Sequence, residues 1–228
     1  MSAITEVALF KACVDSPRSG ASLLQMNLAK IKDPQSFKDE LDYTKKKALK
    51  LYHLAWSGVT KYMRTICQLR GKPIEFPNLG IFFPVNAAEK ALLSASSPAK
   101  LTSHALGSFR EAEEQEVRLC MFEQFLDQTG CRADLDELME VYDPSTFEDN
   151  KHYGPIQPLN YASIAKVCET DTETIEIIIK EIVCQLRHVL KNGANVRLMF
   201  KIGRLISKSG TISWRSFRDD EHRAGALL

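Results

Sequence analysis

The sequence predicts a helix-rich α+β fold in which one small unit, a helix pair followed by a small antiparallel sheet, occurs twice. The evidence is a repeated pattern: an amphipathic helix, a glycine, an alternating strand, a second glycine and a second strand. The first copy lies at Leu69–Phe82 and the second at Leu190–Leu205. In both copies a β-branched residue stands three positions after the first glycine, and an apolar residue stands five after it. A repeat that keeps helix, turn and hairpin together is a repeat of a folding unit.

Length and composition agree with two small domains. The chain has 228 residues, whereas a typical single domain has about 100 to 150. No apolar run approaches the ~20 residues of a membrane-spanning helix, so we expect a soluble intracellular protein with no membrane partner. The six cysteines include no CxxC pair and mostly occupy apolar helical positions. We therefore expect reduced core cysteines and no disulfide framework.

Helices are predicted before and within the first unit. Short helices are indicated over Ser2–Val14 and Ala21–Lys32. From Ser36 onward, apolar residues recur every three to four positions, as one buried face of a long helix requires. Gly58 is the weak point of that helix, and Gly71 ends it.

The first unit is predicted to end in a hairpin, with a connector after it. Ile74–Phe76 alternates as a half-buried strand does, and Ile81–Val85 is expected to return as its partner. Residues 87–103 are poor in large apolar side chains and mark a domain boundary. The connector is predicted to contain an acidic amphipathic helix over Phe109–Asp127 and a shorter helix over Asp134–Tyr142.

In the second unit the signals are stronger. Asn160 is predicted to cap a first helix, and Thr170–Glu173 has the spacing of a capping box that starts a second. A broad apolar stripe over Ile175–Leu190 then ends at Gly193, as helices do. The predicted strands are Val196–Phe200, Arg204–Ser207 and Thr211–Trp214, with a tight turn at Ser209-Gly210.

These elements predict the domain division. It comprises an N-terminal helical segment at 1–35, the first unit at 36–86, a connector with acidic helices at 87–158, the second unit at 159–220 and a tail at 221–228. Four glycines are interpreted as structural turns or bulges and not as ligand contacts. They are Gly71, Gly80, Gly193 and Gly203.

Charge is segregated along the chain, although the formal net charge is only +1. Residues 44–86 carry eight basic side chains and one acidic side chain. Residues 108–149 carry three basic and thirteen acidic side chains, and residues 160–220 carry ten basic and seven acidic ones. One interpretation is solvated faces, with an acidic connector that offsets its neighbours. The other is that the first unit meets an acidic polymer, either nucleic acid or the acidic surface of a cytoskeletal filament. The candidate surface comprises Lys45, Lys46, Lys47, Lys50, Lys61 and Arg64.

Other chemistries are poorly supported, so we expect no catalytic residue, metal site or cofactor. Cys184 and His188 have the spacing of a metal-binding pair that Cys168 could join, but an Ile-rich core favours packing of both cysteines, with His188 at its edge. No phosphate-binding glycine loop is present, and no histidine has a serine or cysteine at a recognisable nucleophile spacing. Ile164–Val183 has the length of a helix-turn-helix, yet its second helix opens with acidic residues that phosphates would repel.

A family resemblance follows from the repeat. A helix pair followed by glycine, strand, Leu/Ile-Gly and strand is similar to the HU/IHF histone-like fold, so the two units are expected to be HU-like. Ala55–Arg64 leading into Ile74–Phe82 resembles the first HU-like domain of the eukaryotic coiled-coil domain-containing protein 81 family. Leu159–Ala162 onward to Ile202–Leu205 resembles that family's second domain.

This resemblance implies a function and a way of assembling. The family is associated with centrosomes and cilia and is not known for catalysis. It implies a non-enzymatic structural protein of ciliary or centrosomal microtubules, located in the cytoplasm and cytoskeleton at the axoneme or centrosome. The implied partners are tubulin or other microtubule-associated proteins. HU-like domains usually complete their core by dimerising, so the helices at 48–70 and 173–190 are expected to pair within the chain.

The alternative function is an architectural nucleic-acid-binding protein of HU/IHF type. Bacterial HU proteins extend long basic β-arms tipped by a proline that wedges between base pairs in the minor groove. Here the second unit has only the short turn at Lys208–Gly210, and Pro84–Glu89 follows the first hairpin. Neither segment supplies such an arm, which disfavours duplex DNA as the partner.

Overall fold

The structure, a computed structural model, describes residues 3–16, 37–85, 116–134, 139–141 and 155–217, with backbone alone at 37–42 and 139–140. Its helices are α1 (Glu6–Asp15), α2 (Phe37–Met63), α3 (Glu123–Thr129), α4 (Tyr161–Val167) and α5 (Thr172–Lys191). Its strands are β1 (Ile4–Thr5), β2 (Ile74–Phe76), β3 (Gly80–Val85), β4 (Glu116–Met121), β5 (Arg132–Ala133), β6 (Met139–Val141), β7 (Gln157–Pro158), β8 (Val196–Phe200), β9 (Gly203–Lys208) and β10 (Thr211–Ser216). This α+β content confirms the predicted fold class. From here on, the first unit denotes α1, α2, β2–β4 and α3, a wider set than the predicted 36–86, and the second unit denotes α4, α5 and β8–β10.

The long helix of the first unit is confirmed, and it ends in an irregular turn. α2 continues directly as a π-helix over Arg64–Leu69. Gly71 then adopts a left-handed conformation with φ 62°, which a glycine reaches at no steric cost. The N-terminal helix is also present, but Ile4–Thr5 is a strand and not part of it. The predicted helix at 21–32 lies outside the described residues.

Both units contain the same three-stranded antiparallel meander. In the first, Gly80 lies opposite Phe76 on one side and Met121 on the other. In the second, Gly203 lies opposite Phe200 and Ser216 in the same way. Strand order and register are thus the same in the two meanders, which agrees with the predicted repeat, but the third strand of the first meander lies outside the predicted unit at 36–86. Three residues separate Phe76 from Gly80, whereas two separate Phe200 from Gly203, so the hairpin turn of the first repeat is one residue longer than that of the second.

The predicted acidic helix over Phe109–Asp127 is wrong across residues 116–121. These residues form β4, which pairs with β3, and helix α3 begins only at Glu123. Val117 and Leu119 face the shared core, while Arg118 and Cys120 are buried on the other face of the sheet. The spacing of apolar residues in this segment is compatible with a helix as well as a strand. The segment forms a strand because β3 provides backbone hydrogen-bonding partners along its length.

The shorter connector helix at 134–142 is also wrong at residues 139–141, which form β6 beside β4. Residues 135–138 and 142 lie outside the described part. The connector therefore contributes strands to the first sheet. Its proposed boundaries at 86 and 158 stay predictions.

Each unit lends a short strand to the sheet of the other. β1 precedes α1 of the first unit and pairs in parallel with β8 of the second. β7 precedes α4 of the second unit and pairs in parallel with β2 of the first. At the opposite edges, β5 pairs with β10 and β6 pairs with β4. The sheet orders are β1-β8-β9-β10-β5 and β6-β4-β3-β2-β7, so the two sheets have the same construction.

One hydrophobic core joins the two units. The ring of Phe200 lies 4.9 Å from the Trp56 ring and 5.5 Å from the Phe82 ring, measured between centroids. Trp56 Nε1 donates a hydrogen bond to the Met199 carbonyl oxygen at 2.9 Å. In return, Trp214 Nε1 of the second unit donates to the Val117 carbonyl oxygen of the first at 2.6 Å. Helices α2 and α5 also contact each other.

The first helix of the second unit is capped by Asn160 as predicted, whereas the second is capped by Asp171, one residue after the predicted Thr170. Asn160 accepts a hydrogen bond from the Ser163 backbone N–H at 2.9 Å and caps α4. Asp171 accepts from the Thr174 hydroxyl and from its backbone N–H, each at 2.7 Å, and caps α5. The Thr174 hydroxyl and then its N–H stabilise the charged carboxylate, which lowers the pKa of Asp171.

Gly58 lets α4 lie close against α2. A Cβ at this position would sit 2.6 Å from Cys168 Sγ and 3.2 Å from Ile164 Cγ2. Cys168 is held in place, because its Sγ lies 3.5 Å from the Leu54 carbonyl oxygen to which it donates. The glycine that weakens the helix locally therefore permits its tertiary contact.

We expect Gly58→Ala to lower the free energy of unfolding by about 1 to 2 kcal/mol, measured by urea denaturation. Overpacking outweighs the ~1 kcal/mol that alanine gains over glycine inside a helix. Cys168→Ala in the same background removes the colliding sulfur and should restore most of the loss. An unchanged midpoint for G58A, or no rescue by C168A, would contradict the close-contact explanation.

Candidate interaction surface

Four cations form a row along the exposed side of α2 and its π-helical extension. Lys46, Lys50, Lys61 and Arg64 are all exposed. Their positions fall within about 60° around a helix of 3.6 residues per turn and span ~27 Å along its axis. We call these four residues, with the exposed Lys47 at their flank, the lysine stripe. The structure thus brings five of the six predicted residues to one side of one helix.

Lys45 differs from the other predicted surface residues. Its Nζ lies 3.1 Å from Asp15 Oδ1 of α1, and the two groups form an ion pair. Because both side chains are partly exposed, such a pair adds at most ~1 kcal/mol of stability. Lys45 is directed toward α1 and is not part of the lysine stripe.

Two large apolar side chains lie among these cations. Tyr43 is 68% exposed and Leu54 is 46% exposed. Their positions on α2 fall on the same side as Lys50 and Lys61. A surface that combines cations with an exposed aromatic ring and a leucine is suited to an acidic protein partner with some apolar contact.

A groove lies at the carboxyl end of this row. It has a volume of about 530 Å³ and is lined by Lys61, Arg70, Asn160, Ser163 and Val167, among others. It therefore lies where the end of the long helix of the first unit meets the first helix of the second. Its two cations continue the positive charge of the lysine stripe.

Comparison with known protein families identifies the second unit. Residues 155–220 match the family model described as CCDC81 eukaryotic HU domain 2. These residues form an HU domain of the CCDC81 type. The match begins before β7 and extends past β10, so it includes the whole second unit. No match to a curated protein was found.

The four glycines predicted as structural turns have two different roles, and each role is filled by one glycine of the first unit and one of the second. Gly193, with φ 74°, turns the chain after α5 as Gly71 does after the π-helix. Gly80 and Gly203 instead begin the middle strands β3 and β9. There, a Cβ on Gly80 would collide with the Cys120 carbonyl oxygen, and one on Gly203 with the Trp214 ring. In these two cases the glycine serves the close approach of a neighbouring strand.

Sequence reasoning missed a second group of cations on the HU domain. Arg197, Arg204, Lys208 and Arg215 alternate with buried apolar residues along β8, β9 and β10, which places them on the outer face of the sheet. The signal was present as a period of two in each strand. It was hidden because the net charge of this region is small.

The described side chains best suited to metal binding or nucleophilic chemistry are cysteines, five of which are buried. Among the described residues, no group of three or more His, Cys, Asp or Glu side chains could hold a metal ion. All six cysteines are described, and none of them forms a disulfide. Burial raises the pKa of the Cys13, Cys67 and Cys168 thiols, which makes these three poor nucleophiles. The ring of His188 is within hydrogen-bonding distance of a neighbouring amide, since its Nε2 lies 3.1 Å from Asn192 Nδ2. HU domains as a family are in general not catalytic. None of the described helices is long and apolar enough to cross a bilayer.

Proposed function

We propose that this protein is a non-enzymatic structural component of ciliary or centrosomal microtubules, with tubulin or another microtubule-associated protein as its partner. The observation that carries the proposal is the CCDC81-type HU domain at 155–220. That domain shares one core and two exchanged strands with a second HU-like unit. A body built in this way presents fixed surfaces, as a component held among filament subunits requires.

The lysine stripe supplies the chemistry of the contact. An exposed ion pair contributes only about 0.2 to 1 kcal/mol and weakens with salt. A row of five cations therefore steers an acidic surface and sets its orientation, while apolar contact at Tyr43 and Leu54 adds burial. Binding to microtubules should decrease with added salt but persist at moderate ionic strength.

The meanders offer little for duplex DNA. Three of their four strand connections are two or three residues long. The fourth, residues 86–115, carries three basic and four acidic side chains. A basic arm for the minor groove is therefore not encoded there. We expect duplex DNA to bind no better than the non-specific range of ~10⁻⁴ to 10⁻⁶ M near physiological salt.

Charge reversal in the lysine stripe tests this function. We expect the triple variant K46E/K47E/K50E to bind taxol-stabilised microtubules about tenfold more weakly in co-sedimentation, because three steering charges become repulsive. A matched control, K11E/K72E/K166E, changes the net charge equally at three exposed positions elsewhere and should stay within about twofold of the unaltered protein. Thermal melts of both variants check that the fold is intact.

Several outcomes would contradict the proposal. Equal losses in the two triple variants would indicate attraction by net charge alone. No binding by the unaltered protein would remove tubulin as the direct partner. Tighter binding of duplex DNA than of microtubules at the same salt, or a nuclear location of the tagged protein in ciliated cells, would favour the architectural nucleic-acid-binding alternative.

A further inference from the structure

The outer face of the second sheet carries five cations in register. Arg204 of β9 lies directly opposite Arg215 of β10. Lys208 lies opposite Thr211, which in turn pairs with Arg132 of β5. Residues that face each other across strands share one side of a sheet. We call this group, completed by Arg197 of β8, the arginine face.

Ile206 lies at the centre of the arginine face. It is opposite Arg197 and is flanked along its own strand by Arg204 and Lys208. Same-face neighbours along a strand are ~6.8 Å apart, and neighbouring strands are ~4.8 Å apart. The half-buried isoleucine therefore has cations on three sides and Ser213 on the fourth, at distances that one extended peptide can reach.

The corresponding face of the first sheet is built differently. By register, Ile81 and Cys120 occupy the positions of Arg204 and Arg215. Those two residues are buried and pack together with Phe83 in a small apolar cluster. At the two positions that hold Arg204 and Arg215 in the second sheet, the first sheet thus carries buried apolar side chains, so the unit folds without arginines there.

The charge of the arginine face also has an energetic cost. Like charges directly opposite each other on a sheet destabilise it, and Arg204 and Arg215 are such a pair. The described residues of β8, β9 and β10 on this face include no acid, and Asp134 directly follows β5 at the edge. An anionic partner would turn this repulsion into binding energy.

We propose that the arginine face binds an extended acidic segment of another protein, with an apolar side chain resting on Ile206 and carboxylates on the surrounding cations. Alternate residues of an extended chain recur at the same ~6.8 Å as the cations along β9. Four of the five cations are arginines, whose planar guanidinium accepts a carboxylate in bidentate fashion. This surface is separate from the lysine stripe, so it does not depend on the microtubule role proposed above.

A protein segment suits this face better than nucleic acid does. Single-stranded nucleic acid is held by aromatic side chains on which bases stack. The described strand positions of this face carry no aromatic ring, and the central Ile206 offers an apolar contact instead. Guanidinium groups also bind phosphate, so nucleic acid must be measured beside the peptide.

Fluorescence anisotropy with the full chain tests the arginine face. The probe is a labelled peptide of about twelve residues, with glutamate at alternate positions and leucine at the centre, long enough at ~3.3 Å per residue to cross the sheet. We expect R197E/R215E to weaken its binding at least about tenfold, and R197K/R215K, which keeps the charge, to weaken it about threefold. The control K11E/K166E and the stripe variant K46E/K47E/K50E should leave it within about twofold.

The outcomes separate the explanations. If R197E/R215E unfolds, the neutral variant R197Q/R215Q is used in the binding measurement in its place, after its melting temperature has been found unchanged. Unaltered peptide binding in the folded variant would overturn the proposal. So would a twelve-nucleotide single strand or a duplex that binds more tightly than the peptide at the same salt. A chain lacking residues 218–228 that binds the peptide at least about tenfold more tightly would assign the face to its own acidic tail segment.

Discussion

Replacing Phe200 with alanine is expected to lower the free energy of unfolding by about 4 kcal/mol, because truncating a buried phenylalanine removes its burial and leaves a cavity. Phe200 is 2% exposed. Its ring lies within 6.0 Å of the rings of Trp56, Phe76, Phe82 and Trp214, measured between centroids. Three of these four rings belong to the first unit, so the loss falls on the contact between the units.

The same variant tests whether the two units unfold together. Because they share a core and exchange strands, we expect one cooperative transition in calorimetry, shifted to lower temperature in F200A. The control Val167→Ala changes a side chain that is 65% exposed and should alter stability by no more than about 0.5 kcal/mol. Two separate transitions in the unaltered protein, or a loss in F200A no larger than in V167A, would show that the units are energetically independent.

Gly203→Val is expected to lower the free energy of unfolding by about 3 kcal/mol, for steric reasons. A Cβ at this position would sit 2.5 Å from Trp214 Cζ2 and 2.6 Å from the Arg215 carbonyl oxygen. The oxygen belongs to the neighbouring strand, and the Trp214 side chain is fully buried. Neither can move away without disturbing the sheet or the core.

Chemical denaturation of G203V measures this loss, and Gly193→Asn supplies the control. Gly193 also has a positive φ, but a Cβ there would meet nothing within 4 Å. Asparagine tolerates the left-handed conformation, so we expect a cost below about 1 kcal/mol for G193N. Similar losses in the two variants would mean that backbone conformation, and not the approach of Trp214, is what requires glycine at 203.

Much of the fold was readable from the sequence because the signals were local. The apolar stripe of α5, its start close to the predicted Thr170–Glu173 and its end before Gly193 all depend on neighbouring turns of one helix. The β8–β10 meander was equally readable, since its turns are two residues long and its apolar residues alternate. Such features depend on the residues of one segment, so one segment suffices to predict them.

The candidate surfaces were predicted in part. Lys46, Lys50, Lys61 and Arg64 share one side of α2 and its π-helical extension, as helical spacing implies. The ion pair of Lys45 with Asp15 was not predictable, because it joins two helices whose relative position the sequence does not state. The arginine face was missed for a related reason: its cations come from four strands, and only their register brings them together.

By itself, the sequence determined the repeat, the helix-plus-meander unit and the principal turns, because each follows from the periodicity and turn chemistry of a short segment. Only the tertiary structure decided that Glu116–Met121 is a strand and that Ile4–Thr5 and Gln157–Pro158 cross to the other unit's sheet. A strand is defined by hydrogen bonds to a partner, and these partners lie up to about 190 residues away along the chain. The pairing that makes a strand from an ambiguous segment is a property of the assembled sheet, which no local pattern specifies.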